Sequence, residues 1–178
     1  MRTLIVVIAF LFSLILSTGL TLAEKRFDVV VYGGTPSGIA ASVMAAREKT
    51  SVLLIEPSKH VGGLSTSGLT TAETEHMLKW TLGGFADEFY RRLGKHYGFK
   101  KAKPAYEFES GAAEKVYLEM LREAGVQLHY SASVSAVEKK DTAIRQITLT
   151  DGVVVSGKVF IDASYEGDLM AKAGVSYA

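Results

Sequence analysis

The sequence contains no cysteine, which excludes disulfide bridges, thiolate metal sites and cysteine nucleophiles. It also lacks an excess of charge of either sign, because 20 lysines and arginines stand against 19 aspartates and glutamates. Binding to nucleic acid needs a basic excess on one face, so this balance argues against nucleic acid as a partner. Hydrophobic residues make up 48% and charged residues 22% of the 178 residues, which is typical of one globular domain.

Residues 1–23 differ in composition from the rest of the chain. Met1 and Arg2 give a positive start, residues 4–16 are apolar except for Ser13, and the segment ends at Ala23. This order predicts a secretory signal peptide and an exported protein, periplasmic or secreted, that begins at Glu24. The alternative is an uncleaved membrane anchor, since residues 3–23 carry no charge and are just long enough to span a bilayer.

The chain after residue 23 alternates between strand and helix patterns. The β-branched run at residues 27–32 predicts a buried strand, residues 37–47 predict a helix, and residues 51–55 predict a second buried strand. A strand, a glycine turn, a helix and a strand form one βαβ unit, whose two strands are parallel. Amphipathic spacing predicts further helices at residues 85–97 and 112–124, followed by a strand at residues 126–130.

The sequence pattern of the last third of the chain predicts an antiparallel β-meander. Residues 134–138, 143–150 and 153–158 predict three short strands, and Asp151-Gly152 is a strong hairpin signal between the last two. A further apolar strand at residues 159–161 ends at Asp162. The predicted fold class is therefore α/β, with a central parallel sheet, crossover helices and an antiparallel β-meander.

The turn after the first predicted strand has the chemistry of a dinucleotide site. Free amides at the start of the following helix, and the positive end of its dipole, can hold a pyrophosphate. The usual pattern is G-x-G-x-x-G, and its middle glycine is replaced here by Thr35. Thr35 must either leave room for the phosphates or donate its hydroxyl to them. The candidate residues of this turn are Gly33, Gly34, Thr35, Pro36, Ser37 and Gly38.

An acidic residue ends the second predicted strand. Glu56 follows Gly33 by 23 positions, the place where a carboxylate binds both hydroxyls of an adenosine ribose and disfavours a 2′-phosphate. The alternative is that Glu56 merely caps a surface strand. Gly62 and Gly63 lie six and seven residues further on. Nicotinamide dehydrogenases have no need of glycines there, whereas flavoproteins bring this loop back over the pyrophosphate, where only bare backbone fits.

With these features the sequence resembles the FAD-dependent oxidoreductases of the glutathione-reductase structural type, and within them a subfamily of exported bacterial proteins. The resemblance covers residues 24–178, and it depends on YGGTPSGIAAS from residue 32, IEPSKHVGGLSTSGL from 55, LGGFADEFYRRL from 82 and FIDASYEGDLMAKAGV from 160. It implies a Rossmann-like FAD-binding domain, FAD as the cofactor, and flavin-mediated hydride transfer from an unknown small organic substrate.

The resemblance also implies roles for residues in the second half of the chain. Val134, at the start of the meander, would touch adenine through its backbone, and Asp162 and Ala163 would lie beside the adenosine half of the cofactor. Asp168 would hold the ribityl chain or order its loop; the alternative for Asp168 is a helix N-cap. His60 is close to the expected flavin position, either as a covalent attachment point or, in the simpler interpretation, as a loop residue facing solvent.

Proteins of this type usually continue into a substrate domain, so we expect this chain to be the N-terminal, FAD-binding portion of an enzyme. No residue in it is identified as a catalytic base, and its histidines have no metal-ligand spacing. Two alternatives remain: a non-catalytic nucleotide-binding remnant, and a relative of the kind labelled polysaccharide lyase, for which no organised carboxylate pair is seen.

Overall fold

A computed structural model describes residues 25–69 and 78–176 of the chain. The predicted signal peptide at residues 1–23 lies outside the described residues. The described part contains one six-stranded sheet with the order β3-β2-β1-β6-β5-β4. Its strands are β1 Lys25–Tyr32, β2 Val52–Glu56, β3 Gln127–Tyr130, β4 Val134–Lys140, β5 Ala143–Leu149 and β6 Val154–Asp162.

Four α-helices accompany the sheet, and none in the described ranges is long and apolar enough to cross a membrane. They are α1 Pro36–Arg47, α2 Gly84–His96, α3 Ser110–Ala124 and α4 Asp168–Lys172. Single turns of 3-10 helix lie at Gly63–Thr66, Lys79–Thr81 and Lys100–Ala102. The predicted helices and the first three strands are therefore present, with ends that differ by one or two residues.

The parallel part of the sheet confirms the predicted βαβ unit. β1 pairs in parallel with β2 on one side and with β6 on the other, and β2 pairs in parallel with β3. The β-branched residues of β1 are suited to this central place, because Val30 and Val31 are completely buried on opposite faces of the strand. The carboxyl ends of all four strands consequently lie at the same edge of the sheet.

β6 corrects one part of the sequence prediction. The separate strands predicted at residues 153–158 and 159–161 form one continuous strand, Val154–Asp162. Only its first three residues pair antiparallel with β5, whereas the parallel pairing with β1 runs from Val155 to Asp162. The sequence pattern predicts two strands because the pairing of β6 with β5 ends at Ser156. The pairing continues with β1, which lies more than 100 positions earlier in the sequence and leaves no local signal.

The two faces of the sheet bury different sets of residues. Val31 and Leu54 point toward α1, α2 and α3, where they join Ile39, Leu93 and Met120 in one core. The neighbouring residues of each strand point to the opposite face, where they form a second core with residues of the meander strands. That second core contains Phe27, Val30, Tyr32, Leu53, Ile55, Ile147, Leu149 and Leu169. The Asp151-Gly152 turn that shapes the meander is confirmed, with Gly152 at a φ of +86°.

One carboxylate connects the middle of β1 to the middle of β6 and to the residue before β2. Asp28 in β1 accepts hydrogen bonds from the amide and hydroxyl of Ser51 at 2.8 and 2.7 Å, and from Nζ of Lys158 in β6 at 2.6 Å. These donors, Lys158 first and Ser51 next, hold the pKa of the Asp28 carboxyl well below its ordinary value. A depressed carboxyl pKa stabilises the folded state above the unfolded pKa of about 3.9, and this stabilisation is lost as the pH falls through the folded pKa.

We therefore expect Asp28→Asn to lower the urea midpoint of unfolding at pH 7, and the difference from the wild type to shrink in acid. Urea unfolding followed by circular dichroism at pH 7 and pH 3 measures both effects. The control is Glu107→Gln, which changes an exposed carboxylate with no hydrogen bond or ion pair within the described part of the chain. An Asp28→Asn difference as large at pH 3 as at pH 7 would contradict the assignment.

Candidate functional site

The glycine turn brings three segments into backbone contact. Gly33 has a φ of +100°, and a Cβ atom there would lie 2.6 Å from the amide nitrogen of Ser164. A Cβ atom on Gly38 would overlap the carbonyl oxygen of Gly33. Glycine is needed at both positions because β1, the start of α1 and the segment after β6 approach without side chains between them. Ala163, predicted to lie here, contacts the turn directly.

Thr35 occupies the N-cap of α1, followed by Pro36 at the first helical position. Its Oγ1 accepts a hydrogen bond from the amide of Gly38 at 3.3 Å and donates one to the carbonyl of Ala163 at 2.8 Å. The side chain is only 6% exposed. The hydroxyl proton of Thr35 is directed at the carbonyl of Ala163 and is therefore not free for another acceptor; both predicted roles of Thr35 toward a phosphate stay predictions.

Glu56 lies at the end of β2 and connects this strand to the glycine turn. Its Oε2 accepts a hydrogen bond from the amide of Gly34 at 2.7 Å, and its Oε1 accepts one from the amide of Ser58 at 2.7 Å. An ionised carboxylate has about four acceptor positions, so both oxygens can still accept from the hydroxyls of a ligand. The Glu56 carboxylate binds the glycine turn that follows β1, so it does not merely cap its own strand.

The loop with the glycine pair returns to the same place. The amide of Gly62 donates a hydrogen bond of 2.6 Å to the carbonyl of Gly34. Gly62 and Gly63 have φ angles of +106° and +50°. A Cβ atom on Gly63 would overlap the hydroxyl of Tyr165, which accepts a hydrogen bond from the amide of Leu64 at 2.9 Å. Glycine suits both positions because other residues rarely adopt such positive φ angles.

These segments enclose a cleft of about 380 Å³ at the carboxyl edge of the parallel strands. Its lining residues are Gly33, Thr35, Glu56, Pro57, Ser58, His60, Gly63, Thr66, Ser67, Ser164, Tyr165 and Glu166. Two larger surface cavities of about 780 and 820 Å³ contain none of the predicted site residues. The glycine turn, the acid and the glycine-pair loop converge on this one cleft, although its residues Gly33 and Gly63 are 30 positions apart in the sequence.

The backbone amides at the start of α1 provide hydrogen-bond donors beside the cleft. The backbone N–H groups of Thr35 and Ser37 have no acceptor among residues 25–69 and 78–176. A helix start with free amides and the positive end of the helix dipole attracts an anion. The cleft thus combines an anion-binding end with a carboxylate that accepts hydroxyl hydrogen bonds.

Two predicted residues lie away from the cleft. Val134, at the start of β4, is buried in the second core and pairs with Leu149. Asp168 is exposed, and its carboxylate lies 3.5 Å from the hydroxyl of Tyr32. Burial raises the pKa of the Tyr32 hydroxyl. Asp168 is also not the N-cap of α4, because Gly167 holds that position. Neither residue lines the cleft, and the contact with adenine expected of the Val134 backbone stays a prediction.

Asp162 and Ser164 form a connection that sequence reasoning missed. Asp162 accepts hydrogen bonds from the amide and hydroxyl of Ser164 at 3.0 and 2.7 Å, and from the amide of Met170 at 2.7 Å. The Ser164 hydroxyl in turn accepts from the amide of Gly167 at 3.0 Å. The pair fastens the cleft wall at residues 163–166 to α4. The Asp-x-Ser spacing, a known turn signal, could have indicated it.

His60 lines the cleft and is paired. Its Nδ1 lies 3.0 Å from Oε1 of Glu114 in α3, although 75% of the imidazole is exposed. The same carboxylate oxygen accepts a hydrogen bond from the amide of Val61 at 3.3 Å. The helix α3 thereby holds the loop that connects Glu56 to the glycine pair.

Comparisons with known proteins agree with this geometry. The model of the family FAD dependent oxidoreductase matches residues 28–178. The chain is 28% identical to the NADH:fumarate oxidoreductase of Klebsiella pneumoniae (strain 342), in an alignment of 170 residues that covers 86% of this chain and 18% of that protein. The crystal structure of L-proline dehydrogenase from P. horikoshii has a TM-score of 0.62 and 14% identity, covering 87% of this chain and 57% of that one.

A flavin-dependent brominase, Bmp2, has a TM-score of 0.59 and 20% identity, covering 85% of this chain and 41% of that one. At these identities the solved structures show the fold alone, which is the Rossmann-like fold of FAD- and NAD(P)-binding flavoenzymes. The chain spans about a fifth of the length of the curated relative that it matches, and 57% of the length of the dehydrogenase.

FAD is the cofactor of the matching family, and the residues of the cleft fit such a group. A diphosphate needs N–H donors, which the amides of Thr35 and Ser37 supply, and a ribose needs an acceptor, which Glu56 supplies. The buried hydroxyl of Thr35 and the glycines on either side keep side chains out of the start of α1.

The close approach at Gly38 makes a testable prediction about the cleft. We expect Gly38→Ala to destabilise the fold by about 1–3 kcal/mol, the usual cost of overpacking, because its Cβ atom would overlap the carbonyl of Gly33. The matched control is Gly111→Ala in the first turn of α3, where a Cβ atom meets nothing within 4 Å. Urea unfolding measures both variants, and equal midpoints for the two would show that the approach is not tight.

Proposed function

The chain belongs to the FAD dependent oxidoreductase family, and on that premise we propose that its cleft binds FAD. In this proposal the diphosphate lies at the start of α1, Glu56 accepts hydrogen bonds from the adenosine ribose, and the Gly62–Gly63 loop runs beside the diphosphate. The observation that carries the proposal is the pair of hydrogen bonds made by Gly34, which joins the acid and the glycine-pair loop at one turn.

Each part of the cleft would have a separate task in binding. The amides of Thr35 and Ser37 would donate to phosphate oxygens, with the dipole of α1 adding to the attraction. Glu56 would select a ribose with two free hydroxyls, because its negative charge repels a 2′-phosphate. Asp162 and Ser164 would keep the wall at residues 163–166 in place through their bonds to the start of α4.

We further propose that the whole protein is an oxidoreductase acting on a small organic substrate. When bound, the flavin supplies the hydride-accepting group. The residues described in this chain bind and orient the cofactor, and none of them is proposed as an acid or base for the substrate. The cofactor-binding role of Val134, Ala163 and Asp168 is carried over from the family resemblance; of the three, Ala163 alone contacts the glycine turn in the structure.

We also propose that the protein is exported. The support is the sequence pattern of residues 1–23, with its positive start, apolar run and small residues before Glu24. The Rossmann-like domain would then fold after crossing the membrane and acquire FAD outside the cytoplasm.

The binding proposal predicts that the purified chain retains FAD through desalting, and that changes at Glu56 weaken this binding. We expect Glu56→Ala to raise the dissociation constant by about 10- to 100-fold, the effect of losing charge-assisted hydrogen bonds worth roughly 1.5–3 kcal/mol. Glu56→Gln retains an oxygen for the Gly34 amide, so it separates loss of ribose binding from loss of the turn. Equilibrium dialysis with FAD measures all three proteins.

The control for this experiment is Glu48→Ala, at the opposite end of α1 from the cleft. It should bind FAD as the wild type does. A wild-type chain that retains no FAD would reject the proposed function, and an unchanged dissociation constant in both Glu56 variants would remove Glu56 from the site.

The export proposal predicts a mature protein that starts at Glu24. Intact-mass measurement of the protein recovered from the periplasm or medium of a bacterial host would detect the loss of residues 1–23. Recovery of the full-length chain from the membrane fraction would instead support the anchor. A matched host expressing residues 24–178 alone should keep the protein in the cytoplasm.

A further inference from the structure

Tyr165 connects two parts of the cleft that come from distant places in the sequence. It belongs to the wall at residues 163–166, and its hydroxyl accepts a hydrogen bond of 2.9 Å from the amide of Leu64 in the glycine-pair loop, residues 61–67. Gly63 lies against the same hydroxyl, since a Cβ atom on this glycine would overlap the hydroxyl oxygen. Both Gly63 and Tyr165 line the cleft. The tyrosine hydroxyl therefore joins the loop to the wall.

The loop and the wall are each ordered by hydrogen bonds of their own. In the wall, the hydroxyl of Ser164 is bonded to the carboxylate of Asp162 at 2.7 Å. In the loop, the hydroxyl of Thr66 donates to the carbonyl of Val61 at 2.8 Å. Among the hydrogen bonds of the described residues, that of Tyr165 is the only one between the loop and the wall. The position of one relative to the other therefore depends on this side chain.

The bond between Tyr165 and Leu64 can break without unfolding the domain. Tyr165 is 57% exposed and Leu64 is 50% exposed, so water reaches both groups and replaces the partner that each loses. The loop also remains attached to the glycine turn, because the amide of Gly62 is bonded to the carbonyl of Gly34. Breaking the tyrosine bond therefore frees only the part of the loop that follows Gly62.

We propose that Tyr165 is a positioning residue that holds the glycine-pair loop against the wall and thereby slows the release of FAD from the cleft. This inference rests on the proposed function, in which the loop runs beside the diphosphate. A ligand enclosed by the loop and the wall leaves only after the two have separated, and the hydroxyl of Tyr165 opposes that separation. The tyrosine acts through the loop and is not itself proposed to contact the cofactor.

The test compares the full chain with its Tyr165→Phe variant, which retains the ring and loses the hydroxyl. We expect the rate constant for FAD dissociation, followed by flavin fluorescence after dilution, to rise about fivefold, the effect of losing one hydrogen bond. The association rate constant should change little, because a contact made after binding acts on release. The matched control is Tyr90→Phe in α2, a half-buried tyrosine that does not line the cleft. It should release FAD at the wild-type rate.

Three further measurements separate positioning of the loop from a general loss of structure. The urea midpoint of the FAD-free Tyr165→Phe protein should equal that of the wild type, because water replaces the exposed hydroxyl. AMP contains the adenosine ribose but lacks the second phosphate, so its dissociation constant in equilibrium dialysis should be unchanged. In the FAD-free protein, the amide of Leu64 should exchange with deuterium faster in the variant than in the wild type.

An unchanged rate of FAD dissociation in Tyr165→Phe would overturn the inference and leave the proposed function standing. The same conclusion would follow from a lower urea midpoint together with equal weakening of AMP and FAD binding, which would indicate damage to the whole cleft. A wild-type chain that retains no FAD would reject the proposed function and the inference with it.

Discussion

The two hydrogen bonds of the Gly34 peptide groups are the constraint on which the cleft depends. The amide of Gly34 binds the carboxylate at the end of β2, and its carbonyl binds the returning loop at Gly62. Both partners must approach the turn without intervening side chains, which explains why glycine occurs on either side of the contact. The ends of two parallel strands and a loop from later in the sequence are joined at one residue, and the shape of the cleft follows from this junction.

The sequence predicted the features of the site that depend on local signals. Gly33, Gly38 and Glu56 could be identified because a dinucleotide fold places a turn and an acid at fixed distances from the first strand, and the structure brings these residues together. Thr35 could not be interpreted in the same way. Its role depends on the carbonyl of Ala163, 128 positions away, and no local pattern reveals such a partner.

The errors and omissions have the same physical origin. β6 was divided into two strands because its pairing with β1 is non-local. The cofactor roles of Val134 and Asp168 come from resemblance alone and stay predictions, because they depend on how distant segments pack around the ligand. Tyr165 and Glu166 line the cleft and lie within the motif that begins at residue 160, but that motif did not assign either of them a role. Residues that act through contacts between distant segments were therefore the ones that the sequence could not assign.

The place of β1 between β2 and β6 has a consequence for biosynthesis. β1 is the first strand to leave the ribosome, yet one of its two neighbours, β6, begins only at Val154 of the 178-residue chain. Parallel pairing over such a separation is slow, because loop closure must precede any gain from contact. Until β6 arrives, one edge of β1 is unpaired and open to association with other chains. We therefore expect nascent chains to rely on a holding chaperone, and cofactor capture to come after synthesis of the last strand.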